Sequence, residues 1–146
     1  MWSRLLASLR RPANGWGWLR WLLVPIIGAD TTVTLLGQPA SYWSKPLTGV
    51  EGNDFFAWFL VRGPGFFLVT SAGYILLAVL VVTFLPRRLA LAGFLAYTLG
   101  HYFGACSWLS YHFDCGMWLI VTYAIGLSVL IASVLRAEER RPTSGG

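Results

Sequence analysis

The sequence predicts an all-α protein of the polytopic membrane class: a four-helix bundle with an N-terminal interfacial helix and an irregular outer loop. Three observations predict it. Of the 146 residues, 56% are apolar and 12% charged, with a mean hydropathy of +0.62, more apolar surface than a soluble core of this size hides. Several apolar windows approach the ~20 residues that a helix needs to cross ~30 Å of hydrocarbon. The basic residues, finally, gather in alternate connections between those windows. The same figures exclude disorder, collagen-like repeats and a disulfide-dense secreted scaffold. The chain 1–146 reads as a single membrane domain.

Taking the elements in order, Trp2, Leu5, Leu6 and Leu9 follow an i, i+3, i+4, i+7 stripe with Arg4, Arg10 and Arg11 off it. That pattern predicts a short helix, 1–12, lying in the headgroup plane until Pro12 to Gly15 breaks it. An Arg-rich start before an apolar run also resembles a signal peptide. Ile27 stands where a cleavage site wants a small residue, so retention is expected. Span one, 18–36, carries Arg20 near one end and Asp30 inside it. The outer loop, 37–64, has turn signals at Gln38-Pro39 and Lys45-Pro46, and Asn53-Asp54 is placed to cap a short helix over 55–61. Gly63-Pro64-Gly65 separates that helix from span two, 65–85. Pro86-Arg87-Arg88 then turns the chain into span three, 89–108, and a short outer turn leads to span four, 115–135. Backbone groups in lipid must bond internally, which leaves helices as the form for these runs.

Arg4, Arg10, Arg11, Arg20, Arg87, Arg88, Arg136, Arg140 and Arg141 fall on one side of such a bundle, and Lys45 and Arg62 on the other. The positive-inside rule then places both termini in the cytoplasm of a bacterial inner (plasma) membrane. The net charge of +5 becomes an arginine collar facing anionic lipid at the cytoplasmic face, and a nucleic-acid site is excluded for want of a folded basic domain. Trp16, Trp18 and Trp21 inside, with Trp43, Trp58 and Trp108 outside, read as interfacial anchors. Ala92, Ala96, Gly100 and Gly104 on span three, and Ala124, Ser128 and Ala132 on span four, form small-residue stripes. They predict a tight hairpin between these two spans, with a homodimer seam or a membrane-protein partner as the alternative.

Two groups of residues carry chemistry. Asp30 and His101 both lie ~4 Å outward of the midplane of their spans at 1.5 Å per residue, a level shared by Ser71, Tyr74, Thr122 and Tyr123. Thr34 sits one turn from Asp30. A lone carboxylate at this depth costs at least ~2.5 kcal/mol, so Asp30 is expected to face the bundle and meet His101. Such a pair serves as a proton relay, a polar ligand site, an intramembrane catalytic dyad or a structural lock. The second group is the outer cluster of Glu51, Asp54, His112 and Asp114, close to Cys106 and Cys115. A disulfide between these two cysteines is one reading, and free thiols the other. The spacing of the cluster matches no metal-ligand pattern, and exposed side chains are its default, so no metal is assigned. Dinucleotide, P-loop, Cys-x-x-Cys and serine-elbow motifs are lacking, and the cofactor is left open.

The run Asp30-Thr31-Thr32-Val33-Thr34, followed by Glu51-Gly52-Asn53, resembles small uncharacterised multi-span bacterial membrane proteins with an Asp/Thr-bearing first span and a Glu-x-Asn-Pro loop. Here Asp54 replaces the proline. The resemblance implies a membrane fold and no particular activity. The expectation is therefore a non-enzymatic accessory subunit or small-ligand-binding component, with an intramembrane enzyme or proton-coupled carrier using Asp30 and His101 as the alternative.

Overall fold

Pro25 has no N–H to offer the carbonyl four residues behind it, and the chain ahead of it winds as a tighter 3-10 turn, Leu19–Leu22. The first α-helix, α1, then runs Leu23–Leu36. The computed structural model describes residues 17 and 19–139. The expected interfacial helix, with Arg4, Arg10, Arg11, Trp16, Trp18, Arg140 and Arg141, lies outside the described residues. Among the described residues all regular structure is helical.

The outer segment after α1 is ordered by its own polar contacts. Two 3-10 turns, Ala40–Trp43 and Pro46–Thr48, precede α2, Asp54–Leu60. The Asn53 side chain caps α2, accepting the N–H groups of Phe55 at 3.0 Å and Phe56 at 3.4 Å. Gln38 holds the strand of chain leading to α2: its amide donates to the Val50 carbonyl at 2.8 Å and accepts the Val50 N–H at 2.8 Å. Tyr42 is fully buried and its hydroxyl donates to the Leu60 carbonyl at 3.1 Å. Gly63, at φ +112°, makes the reversal into the next helix, a conformation that a side chain would strain.

Three long helices follow: α3, Pro64–Phe84; α4, Arg87–His112; and α5, Gly116–Glu139. All three are long and apolar enough to cross a membrane. α4 continues one turn past Trp108, its expected end, because nothing in Leu109 to His112 breaks a helix and Leu109 is buried against the fold. The outer turn is therefore only Phe113 to Cys115. Gly116 is required there, since a Cβ would overlap the Leu109 carbonyl.

α1 packs against α3 and most extensively against α4, α3 also meets α4, and α5 packs on α4. One apolar core joins Leu23, Ile26 and Ile27 of α1 to Ala78, Val79 and Val82 of α3, Ala90 and Phe94 of α4, and Val134 of α5. A second core at the other end gathers Leu35, Tyr42, Leu60 and Phe67. The small-residue stripes do not pair as expected. α5 turns Tyr123, Leu127, Leu130 and Val134 inward and leaves Ser128 and Ala132 exposed, because the larger side chains bury more apolar area. Ala96, Gly100 and Gly104 of α4 instead line a cavity beside α1, with Gly104 against Asp30, and Ala92 is exposed. Arg20, expected in the headgroup collar, is buried, its guanidinium 5.5 Å from the centre of the Trp21 ring.

Candidate binding cavity

Between the two apolar cores the helices leave a partly open cavity of about 470 Å³, bounded by α1, α3, α4 and the outer segment. Helical periodicity explains which side chains line it. On α4, Tyr97, His101, Gly104 and Trp108 recur at spacings of three and four and form one face; on α1, Ile27, Asp30, Thr31 and Thr34 fall at i, i+3, i+4 and i+7 and form another.

At its centre, His101 Nδ1 lies 2.7 Å from Asp30 Oδ2, with the two side chains 12% and 17% exposed. The structure thus brings together the two groups that depth alone singled out. The contact depends on Gly104. A Cβ there would stand 2.9 Å from Asp30 Oδ1 and 3.0 Å from Oδ2, so the carboxylate rests on bare backbone of α4. A carboxylate on Nδ1 fixes the orientation of the imidazole and leaves Nε2 as the nitrogen available for acid–base work or a ligand. Tyr74 meets the imidazole edge-on at 5.6 Å between ring centres, and also touches Tyr97 at 5.8 Å and Phe56 at 5.5 Å. Ser71 and Thr34 are buried in the same wall.

Glu51 enters from above. Its carboxylate accepts the Asn53 N–H at 3.0 Å, and Trp108 lines the cavity with it. Burial pushes the Glu51 carboxyl above its ordinary value of 4.5, and the charge of Asp30 adds to this, while the hydrogen bond from Asn53 acts in the opposite sense. Trp108 is itself buried rather than an interfacial anchor, with His112 stacked on it at 4.5 Å and Gly37 beneath, where a Cβ would meet the indole at 2.6 Å.

Of the residues expected in the intramembrane site, Asp30, Thr34, Ser71, Tyr74 and His101 line the cavity. Thr122 does not. It is exposed on α5, its hydroxyl donating to the Trp118 carbonyl at 2.9 Å, because α5 turns a different face inward. The outer cluster is dispersed: Glu51 joins the cavity, whereas Asp54, His112 and Asp114 are exposed. Among the described residues no three such side chains are grouped to hold a metal. Cys106 and Cys115 are free thiols. The longer α4 explains why the disulfide reading fails, since it carries Cys106 well below the turn and leaves Cys115 exposed beyond it. Asn53, Tyr97, Gly104 and Trp108 were not anticipated as cavity residues. The signals for three of them were present: the Glu51-x-Asn53 pairing, and the positions of Gly104 and Trp108 three and seven residues after His101.

Compared with known proteins, the chain matches no family model, no curated protein and no solved structure.

Proposed function

We propose that this chain is a small integral membrane protein of the bacterial inner membrane that binds a small ligand in the cavity between α1, α3 and α4. A 14-residue α1 extended by a four-residue 3-10 turn reaches about 29 Å at 1.5 and 2.0 Å per residue, which supports a fourth span and a four-helix bundle. The distribution of arginines supports cytoplasmic termini and contact with anionic lipid at that face. Membership of the small multi-span group it resembles is supported by the convergence of Asp30, Thr34, Glu51 and Asn53 on one cavity.

The single observation that carries the binding reading is the cavity itself. A volume of about 470 Å³ falls in the range of small-molecule sites, and its apolar walls hold a few convergent polar groups. The test is native mass spectrometry of protein extracted in mild detergent. A bound small molecule that is retained by the wild type and lost from Gly104→Leu, which fills the cavity beside Asp30, supports the reading. Identical spectra from the two proteins would refute it.

A second reading, an intramembrane enzyme or proton-coupled carrier, is favoured by the 2.7 Å Asp30–His101 contact, which leaves an oriented Nε2 in a ligand-sized space. In proteoliposomes carrying an internal pH dye, proton flux that vanishes in His101→Gln would establish the carrier form of it.

A further inference from the structure

Two acidic side chains, Asp30 and Glu51, line the cavity, and among the described residues no lysine or arginine does. His101, even when protonated, is already engaged with Asp30, and among the described residues Glu51 is paired with the Asn53 N–H and with no cationic side chain. That carboxylate is disfavoured in its charged form by burial and by its acidic neighbour, the situation a bound cation relieves. Aromatic rings surround the same space: Phe56, Phe67, Tyr74, Tyr97 and Trp108 all contribute to the lining. Carboxylates combined with aromatic walls recognise organic cations, through charge and through attraction to ring faces.

Polarity also changes along the cavity. It extends over α4 from Gly93 to Trp108, about 22 Å at 1.5 Å per residue. Its charged groups lie in the half toward the outer segment, and Ile27, Gly93 and Ala96 line the other half. Ala96 and Gly100 are exposed, so the side of the groove is open along α4, where an extended apolar tail can enter. We propose that the ligand of this cavity is an amphiphilic organic cation, its ammonium group between Asp30 and Glu51 and its apolar tail laid along Gly100, Ala96 and Gly93 of α4. The proposal rests on the binding reading above and adds the chemical class. An ammonium of this kind is presented both by lipid headgroups and by free alkylamines.

Purified protein in a neutral maltoside detergent is titrated with hexyltrimethylammonium, with hexanoate and with hexanol, following tryptophan fluorescence and the thermal midpoint. Saturable binding of hexyltrimethylammonium at least tenfold tighter than either other probe, weakened at least tenfold by Glu51→Gln, is the expected result. Equal or tighter binding of hexanoate or hexanol would overturn the cation assignment while leaving a binding cavity in place. Hexyltrimethylammonium affinity unchanged in both Glu51→Gln and Asp30→Asn would overturn it too. Saturation by none of the three would remove the cation proposal and the binding reading together. The source is then resolved by competition: displacement of the probe by dioleoylphosphatidylethanolamine but not by dioleoylphosphatidylglycerol identifies a lipid headgroup, and displacement by neither identifies a free amine, each outcome supporting the cation class.

Discussion

At the scale of single residues, Gly104 governs the site as much as the charged groups do. The Asp30 carboxylate occupies the place of its missing side chain, so Gly104→Ala should destabilise the fold by ~1–3 kcal/mol through overpacking and push Asp30 from His101. A double-mutant cycle of Asp30→Asn with His101→Gln should give a coupling of ~1–2 kcal/mol in the wild type. The coupling should shrink in the Gly104→Ala background; equal coupling in both would show that the glycine does not hold the pair. Glu51 supplies a pH test. Its pKa is raised in the fold, so protonation stabilises the folded state. That contribution is complete below the unfolded value and disappears as the pH rises through the folded one. Wild-type protein in detergent should therefore lose thermal stability from about pH 4 toward neutrality, and Glu51→Gln should lose distinctly less. Asp30 and His101 were legible in the sequence because both lie on regular helices, where depth follows from residue count. Glu51 was not, since an irregular segment has no fixed rise per residue.

At the scale of elements, the outer segment forms a roof whose order depends on side chain to backbone hydrogen bonds. Gln38→Ala would strip partners from Val50 and from the Thr34 carbonyl, a loss of ~1–3 kcal/mol, and should appear as faster proteolysis between residues 44 and 53. Unchanged proteolysis would show that the roof is held from elsewhere. The capping residue Asn53 was readable because its chemistry is local; the folding of Glu51 and Trp108 into the cavity was hidden because it joins positions 57 residues apart. The small-residue stripes misled for a related reason. Spacing identifies a face of α4 that admits close approach but not the helix that approaches, and Asp30 on α1 decides it.

At the scale of the molecule, composition and apolar windows were sufficient for an all-helical fold with three helices able to cross a membrane. They also read residues 18–36 as a fourth span, whereas α1 has only 14 residues of α-helix and is not among the three helices long and apolar enough to cross. Thiol chemistry tests the arrangement as a whole. Cys115 is exposed in the outer turn and Cys106 only partly so. A membrane-impermeant maleimide added to intact cells should modify Cys115 first, and an engineered cysteine at Thr143 should remain unmodified. Protection of Cys115 with modification at 143 would invert the topology. Intact mass without reductant should show no loss of two hydrogens.

The position of α5 at the edge of the fold bears on the order of biosynthesis. It packs on α4, and none of its described side chains lines the cavity. Among the described residues every lining residue lies between Ile27 and Trp108, so all of them have been translated before the first residue of α5. The cavity is thus encoded ahead of the helix that packs last on α4. The helices that wall the cavity are therefore complete before α5 is made, and α5 packs on α4 as the last element of the fold.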